Sequence, residues 1–162
     1  MRIAASIVTT LAVALLTACT GGIQGAAHAP PPGVATDRTA MLSEAGRAAA
    51  CVDAVEAQAD FAPLRMHSPD PASMSFANFS DESRPDQAER DLIRRFVAAI
   101  APCRPQFQTE SPEARLLTLT FASQERLYAE LVAGQMSWGE FNRRTHELDA
   151  QAESDVRRLA AR

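Results

Sequence analysis

Leu131-Val132-Ala133-Gly134-Gln135-Met136-Ser137-Trp138-Gly139-Glu140-Phe141 reads as the end of one helix and the start of the next. Gly134 supplies the residue that can turn left-handed just past a helix C-terminus. Ser137 and Glu140 stand three apart, as a capping box requires, and Met136 and Phe141 are spaced to staple the new helix to its approach. Upstream, Leu117, Phe121, Gln124, Tyr128 and Leu131 recur at helical spacing, widened by Leu116, Leu127 and Val132. That helix opens at Ser111-Pro112-Glu113, which combines an N-cap, a proline at the first position and an acid in the first turn. Downstream, Phe141, Thr145, Leu148, Ala152, Val156 and Leu159 carry a second stripe to the end of the chain. So few residues join the two helices that they must lie antiparallel.

The rest of the chain fits around this hairpin. Asp86 and Glu89 suggest another capping box, for a helix with Ala88, Leu92, Phe96, Ala99 and Ile100 facing inward and Pro102 as its stop. Earlier, a helix from about Arg38 to Ala59, capped by Asp37, gives a stripe of Met41, Ala45, Ala48, Val52, Val55 and Ala59. Between them Asp60 to Pro85 is broken by Pro63, Pro69 and Pro71 yet holds Phe61, Leu64, Met66, Met74, Phe76 and Phe79. Leaving three phenylalanines in water forgoes roughly 1.5–3 kcal/mol each. The segment is therefore expected to be a long loop tucked across the helices, with a short helical turn near Ala72 to Phe79. The expectation is an all-α domain, a small three- to four-helix bundle over residues 37–162.

The first residues have a different character. Met1-Arg2 is followed by 14 uncharged residues, Ile3 to Leu16, and then by Thr17-Ala18-Cys19. That run is shorter than the roughly 20 residues of a spanning helix and suits a signal peptide. Leu16-Thr17-Ala18-Cys19 resembles the lipobox of bacterial lipoproteins at every position; ordinary secretory cleavage near Ala18 is the alternative. The resemblance implies removal of residues 1–18, lipid on Cys19, and a domain moored to a membrane. Two or three acyl chains make a stable anchor where one does not. Thr20 in place of an inner-membrane-retaining Asp leans toward the outer membrane, with the domain on the periplasmic side. Residues 19–36, rich in Gly, Ala and Pro and stiffened by Pro30-Pro31-Pro32, read as a lipidated tether. His28 within it is expected to be solvated.

Acidic residues outnumber basic ones 20 to 16. With no basic stripe, nucleic acid is excluded as an expected partner. Every basic residue is Arg, which reflects a GC-rich genome more readily than a need for bidentate contacts. Cys51 and Cys103 are the cysteines left in the domain. In an oxidising compartment they are most simply a disulfide, worth ~4 kcal/mol for a loop of roughly 50 residues. A redox or metal-binding pair is the alternative, but no Cys-x-x-Cys spacing favours it.

The residues make little case for catalysis. There is no phosphate loop, no His-Glu-x-x-His and no Gly-x-Ser-x-Gly, and His28, His67 and His146 stand apart in sequence. Arg65-Met66-His67 with Met74 and Met41 could suit copper, but no Met or His repeat supports it, and neither a metal nor a cofactor is expected. Ser137-Trp138-Gly139-Glu140-Phe141-Asn142-Arg143-Arg144 is the most distinctive string. Its Trp138, Asn142, Arg143 and Arg144 form either a well-capped helix start or an exposed recognition patch, since Trp and Arg are favoured interface anchors. With Cys51 and Pro102-Cys103-Arg104, this string resembles a loose group of uncharacterised helical envelope proteins of Gram-negative bacteria, over about residues 45–147. That resemblance implies no activity. A non-catalytic binding or structural domain with an envelope partner is the leading expectation. The alternatives are a periplasmic hydrolase or enzyme inhibitor using Glu140, His67 or His146 under the 60–85 loop, and a carrier of metal or small ligand.

Overall fold

The computed structural model describes residues 32–69, 73–108 and 110–161. The expected signal peptide, Cys19, His28 and residues 19–31 of the expected tether lie outside these. Among the described residues the structure is all-α, with no strand. Its helices are α1 (Pro32–Glu56), α2 (Ala62–His67), α3 (Phe76–Phe79), α4 (Gln87–Ile100), α5 (Pro112–Val132) and α6 (Trp138–Ala160). Four are long, and the two short ones, α2 and α3, lie in the strap between α1 and α4.

The α5–α6 hairpin forms as its turn residues dictate. Gly134 takes φ 69°, its amide donates to Leu131 O at 3.0 Å, and that of Gln135 donates to Glu130 O at 3.0 Å. These two bonds close the α5 C-terminus in a Schellman turn. Ser137 Oγ then accepts from the Glu140 amide at 3.2 Å. The expected capping box is only half made, because Glu140 turns its carboxylate to Arg143 at 2.5 Å. The α4 box is complete: Glu89 N donates to Asp86 Oδ1, and Asp86 N to Glu89 Oε2, both at 2.8 Å.

Two boundaries differ from expectation. Helix α1 begins at Pro32, not near Arg38, since a proline at the first position has no amide to leave unsatisfied and already holds a helical φ. Asp37 is thus inside the helix and not its cap, and residues 32–36 belong to α1 and not to the tether. At its other end α1 stops at Glu56, before a 3₁₀ turn over Ala59–Phe61.

Two apolar clusters fill the bundle. One gathers Phe61, Leu64, Leu92, Ile93, Phe96, Leu127, Tyr128, Leu131, Trp138 and Phe141 from the strap, α4, α5 and α6. The other joins Met41 and Ala45 of α1, Ala114 and Leu117 of α5, and Ala152 and Val156 of α6. Cys51 and Cys103 are joined in a disulfide, Cα to Cα 5.4 Å, tying α1 to the turn after α4. Near this bond Gln106 N donates to Glu44 Oε1 at 2.6 Å and Arg47 to Arg104 O at 3.0 Å. The Glu44 carboxyl is held down at about 2 by Arg47 and by the Gln106 amide.

The strap packs differently from the expectation of three buried phenylalanines. Phe61 is buried, Phe79 is half-buried and Phe76 is 85% exposed. The strap is fastened through its backbone carbonyls, so its side chains need not all turn inward.

Candidate functional site

The four residues singled out as a recognition patch do not form one. Trp138 is 1% exposed and Asn142 0%. Asn142 Nδ2 donates to His67 O at 2.9 Å and Asn78 O at 3.0 Å. The Trp138 and Gly139 amides, which a helix start leaves without intrahelical partners, donate to Ser83 O at 2.9 Å and Asp81 O at 2.7 Å. Arg143 donates to Phe79 O, and Arg144 bridges to Glu130 of α5 at 2.5 Å. The string that looked like a surface for a partner grips the chain's own strap. Five hydrogen bonds to strap carbonyls make a structural clamp, with the indole as its apolar centre, while Arg144 ties α6 to α5.

Against that indole lies the constellation richest in titratable groups. The His67 ring stacks on Trp138 at 4.6 Å, with an interplanar angle of 11°. Its Nε2 is 2.8 Å from Glu89 Oε1 and its Nδ1 3.5 Å from Asp81 Oδ2. Each carboxylate spends its other oxygen on the backbone: Glu89 in the α4 capping box, Asp81 on the Ser83 amide at 2.9 Å and hydroxyl at 2.5 Å. Partial burial pushes the Asp81 carboxyl up, but these bonds and His67 outweigh it and hold it below its ordinary range. An imidazole oriented by a carboxylate can act as a general base only if a substrate proton reaches it. Here both nitrogens face carboxylates and one ring face is covered by Trp138, so the arrangement orients the strap.

The residues of the hydrolase alternative have separate partners. Glu140 pairs with Arg143, His146 lies beside Phe79 at 5.8 Å, and His67 sits between Asp81 and Glu89. Met41 is buried in the second cluster, while Met66 is 80% exposed on the strap. Among the described residues no three His, Cys, Asp or Glu side chains converge on a metal position.

The bundle interior holds what the sequence reading missed. Tyr128 meets Phe141 with ring centroids 5.1 Å apart, and Leu117 shares a cluster with Ala152. Between these two levels the hairpin buries polar residues: Thr120 on α5, and Thr145 and Asp149 on α6. Thr145 Oγ1 and Asp149 Oδ1 are enclosed with no hydrogen-bond partner among the described residues, as is Asp53 Oδ1 of α1. Burial, helped by Glu153, raises the Asp149 carboxyl to about 7. On the other side of Tyr128 lies a partly open cavity of about 50 Å³ between α1, α4 and α5. Val52, Phe96, Ile100 and Phe121 form its apolar walls, with Glu56, Gln124 and Tyr128 among them. Arg104 and Glu125, locked in a bidentate pair at 2.5 Å, mark its exposed rim. The sequence did carry a signal, since Gln124 and Thr145 fall on apolar stripes; periodicity alone gave no reason to read them as a layer.

Asp149 supplies a test. An acid titrating near 7 when folded and near 3.8 when unfolded holds more protons in the native state between those values. Its contribution is therefore full below about pH 4 and lost as pH rises through about 7. Asp149→Asn is expected to leave stability near wild type at pH 4, where both side chains are uncharged, and to gain about 4 kcal/mol at pH 8, the linkage of a carboxyl moved from 3.8 to about 7. Urea denaturation across that range checks it; equal effects at both pH values would reject the assignment.

No family model, curated protein or solved structure matches this chain.

Proposed function

We propose that this chain is a cell-envelope lipoprotein, anchored by lipid on Cys19, whose disulfide-tied helical domain binds a partner without catalysing a reaction. The observation that carries the reading is Leu16-Thr17-Ala18-Cys19 at the end of an uncharged run. It is supported by the Cys51–Cys103 disulfide, a cross-link that persists on the oxidising side of a membrane. No described helix is long and apolar enough to cross a membrane. The domain then works at the end of its tether on the periplasmic side, at the outer membrane given Thr20, with an envelope protein as partner and no nucleic acid. Palmitate labelling should mark the wild-type chain and bring it down with membranes. Cys19→Ser should remove the label and leave the precursor uncut. A wild-type chain that takes up no label would sink the proposal.

A second reading, carriage of a small ligand, is favoured by the cavity beside Tyr128. Ligand and partner binding are compatible in one domain.

A further inference from the structure

We propose that the cavity between α1, α4 and α5 receives the end of an unbranched hydrocarbon chain, seated on Val52, Phe96, Ile100 and Phe121 with its head outside the mouth. The inference names a ligand class for the small-ligand reading above and rests on it.

The walls decide the chemistry. The surface facing the cavity is almost wholly apolar, because the polar residues around it have their polar atoms occupied or covered. Thr120 Oγ1 donates to Leu116 O at 2.9 Å, and both amide atoms of Gln124 are enclosed. Glu56 and Tyr128 are engaged with other groups. Arg65 donates to the backbone carbonyl of Glu56, so a positive charge already stands beside that acid. At the rim Arg104 and Glu125 close on each other through two bonds at 2.5 Å. Neither sign predominates, and nothing here selects a charged head. Ordered water needs about two to four polar partners, which such walls do not offer. Methylenes need none and gain by leaving water.

Size decides the shape. A water takes about 10–15 Å³, so a volume of about 50 Å³ admits about three or four groups of that bulk. An apolar cavity that holds benzene is larger, at roughly 150 Å³. A ring is therefore too wide, whereas the last few carbons of a straight chain fit. The cavity is partly open, so the rest of the chain can run out past Arg104 and Glu125.

The test titrates straight-chain alcohols from ethanol to hexanol into the full chain and follows the methyl signals of Val52 and Ile100 by NMR. Affinity should rise about fourfold with each added carbon, the factor that ~0.8 kcal/mol per methylene represents, and level off near butanol. Cyclohexanol should bind about tenfold more weakly than hexanol. Butyrate and butylammonium should agree to within about threefold, because their heads stay outside. Ile100→Trp, which fills the cavity from a half-buried position, should silence the Val52 response. Should that variant fold poorly, Ile100→Ala, which enlarges the cavity, should raise cyclohexanol affinity about tenfold. Dihexanoyl phosphatidylcholine below its micelle concentration separates two sources of such a chain. Shifts at Val52 and Ile100 identify a lipid's chain, and their absence beside a hexanol response identifies a free one; both support the site. A tenfold preference for either charge, or cyclohexanol binding as tightly as hexanol, would overturn the proposal. So would a rise that continues unbroken to hexanol, a Val52 response that survives Ile100→Trp, or alcohols that leave both methyls unmoved. In that last case, binding seen by calorimetry would keep the small-ligand reading at another site, and its absence would end both.

Discussion

Gly139→Ala is expected to cost roughly 3–4 kcal/mol, although alanine in place of glycine inside a helix ordinarily gains about 1 kcal/mol. The sign reverses because of what a Cβ would meet. It would fall 2.7 Å from both Asp81 O and Phe79 O and 2.8 Å from Asp81 N. All three are backbone atoms of the strap, so no rotamer change relieves the overlap. Either the strap moves away or the first turn of α6 unwinds. In both cases the bonds from Trp138 N to Ser83 O, Gly139 N to Asp81 O and Asn142 to Asn78 O fail together, and Trp138 loses its cover. Gly46 makes the control: it lies in α1 and an added Cβ meets nothing within 4 Å, so Gly46→Ala should stabilise by about 0.5–1 kcal/mol. Urea denaturation gives the energies, and a red shift of Trp138 emission reports the strap's release. A Gly139→Ala chain as stable as wild type would mean the strap is not seated on α6 as described.

Much of this architecture was legible because its signals are local. Ser137 and Ser111 each fix a helix start by accepting from the amide three residues on, and Gly134 fixes a helix end by donating its own amide to Leu131 O. Stripes at helical spacing found Leu117, Leu131, Phe141, Ala152 and Val156, all buried. Ile93, 1% exposed, was passed over because it lies beside the strict stripe of α4, while Ala88, counted as inward, is exposed. One turn of register at a helix start is too little for spacing alone to settle.

What was not legible depends on atoms far apart in sequence. Trp138, Asn142 and Arg143 have the composition of a binding surface and also that of a clamp. Only the return of His67 and of residues 76–83 against α6 decides between them. Gly139 carried no pattern at all, since its role lies in the space it leaves empty. Likewise Gln124 and Thr145 looked like blemishes on apolar faces until the antiparallel hairpin set them at one level with Asp149. Glu56, which no motif singles out, is 8% exposed, and Arg65 reaches back to its carbonyl from α2. The candidate ligand site is built from three helices with no motif in any one of them.

Removing the disulfide with Cys51→Ser and Cys103→Ser together should cost about 4 kcal/mol and lower the melting temperature by roughly 15 °C. The bond spans 52 residues, and the entropy it withholds from the unfolded chain sets the estimate. Its importance is greater because of what α1 otherwise offers. Four of the helix's buried contacts are alanine or a single methionine, Ala45, Ala48, Ala49 and Met41, and an alanine methyl buries little apolar area compared with leucine or phenylalanine. With the bond gone, α1 should exchange its amides faster than α5 and α6, whose facing aromatic and leucine side chains remain in place. Hydrogen exchange on the double variant checks that order, and reduced wild-type protein should behave alike. A shift of only a degree or two would show that packing alone holds α1. A large shift would mean that a reducing compartment leaves α1, with the cavity-lining Val52 and Glu56, loosely held.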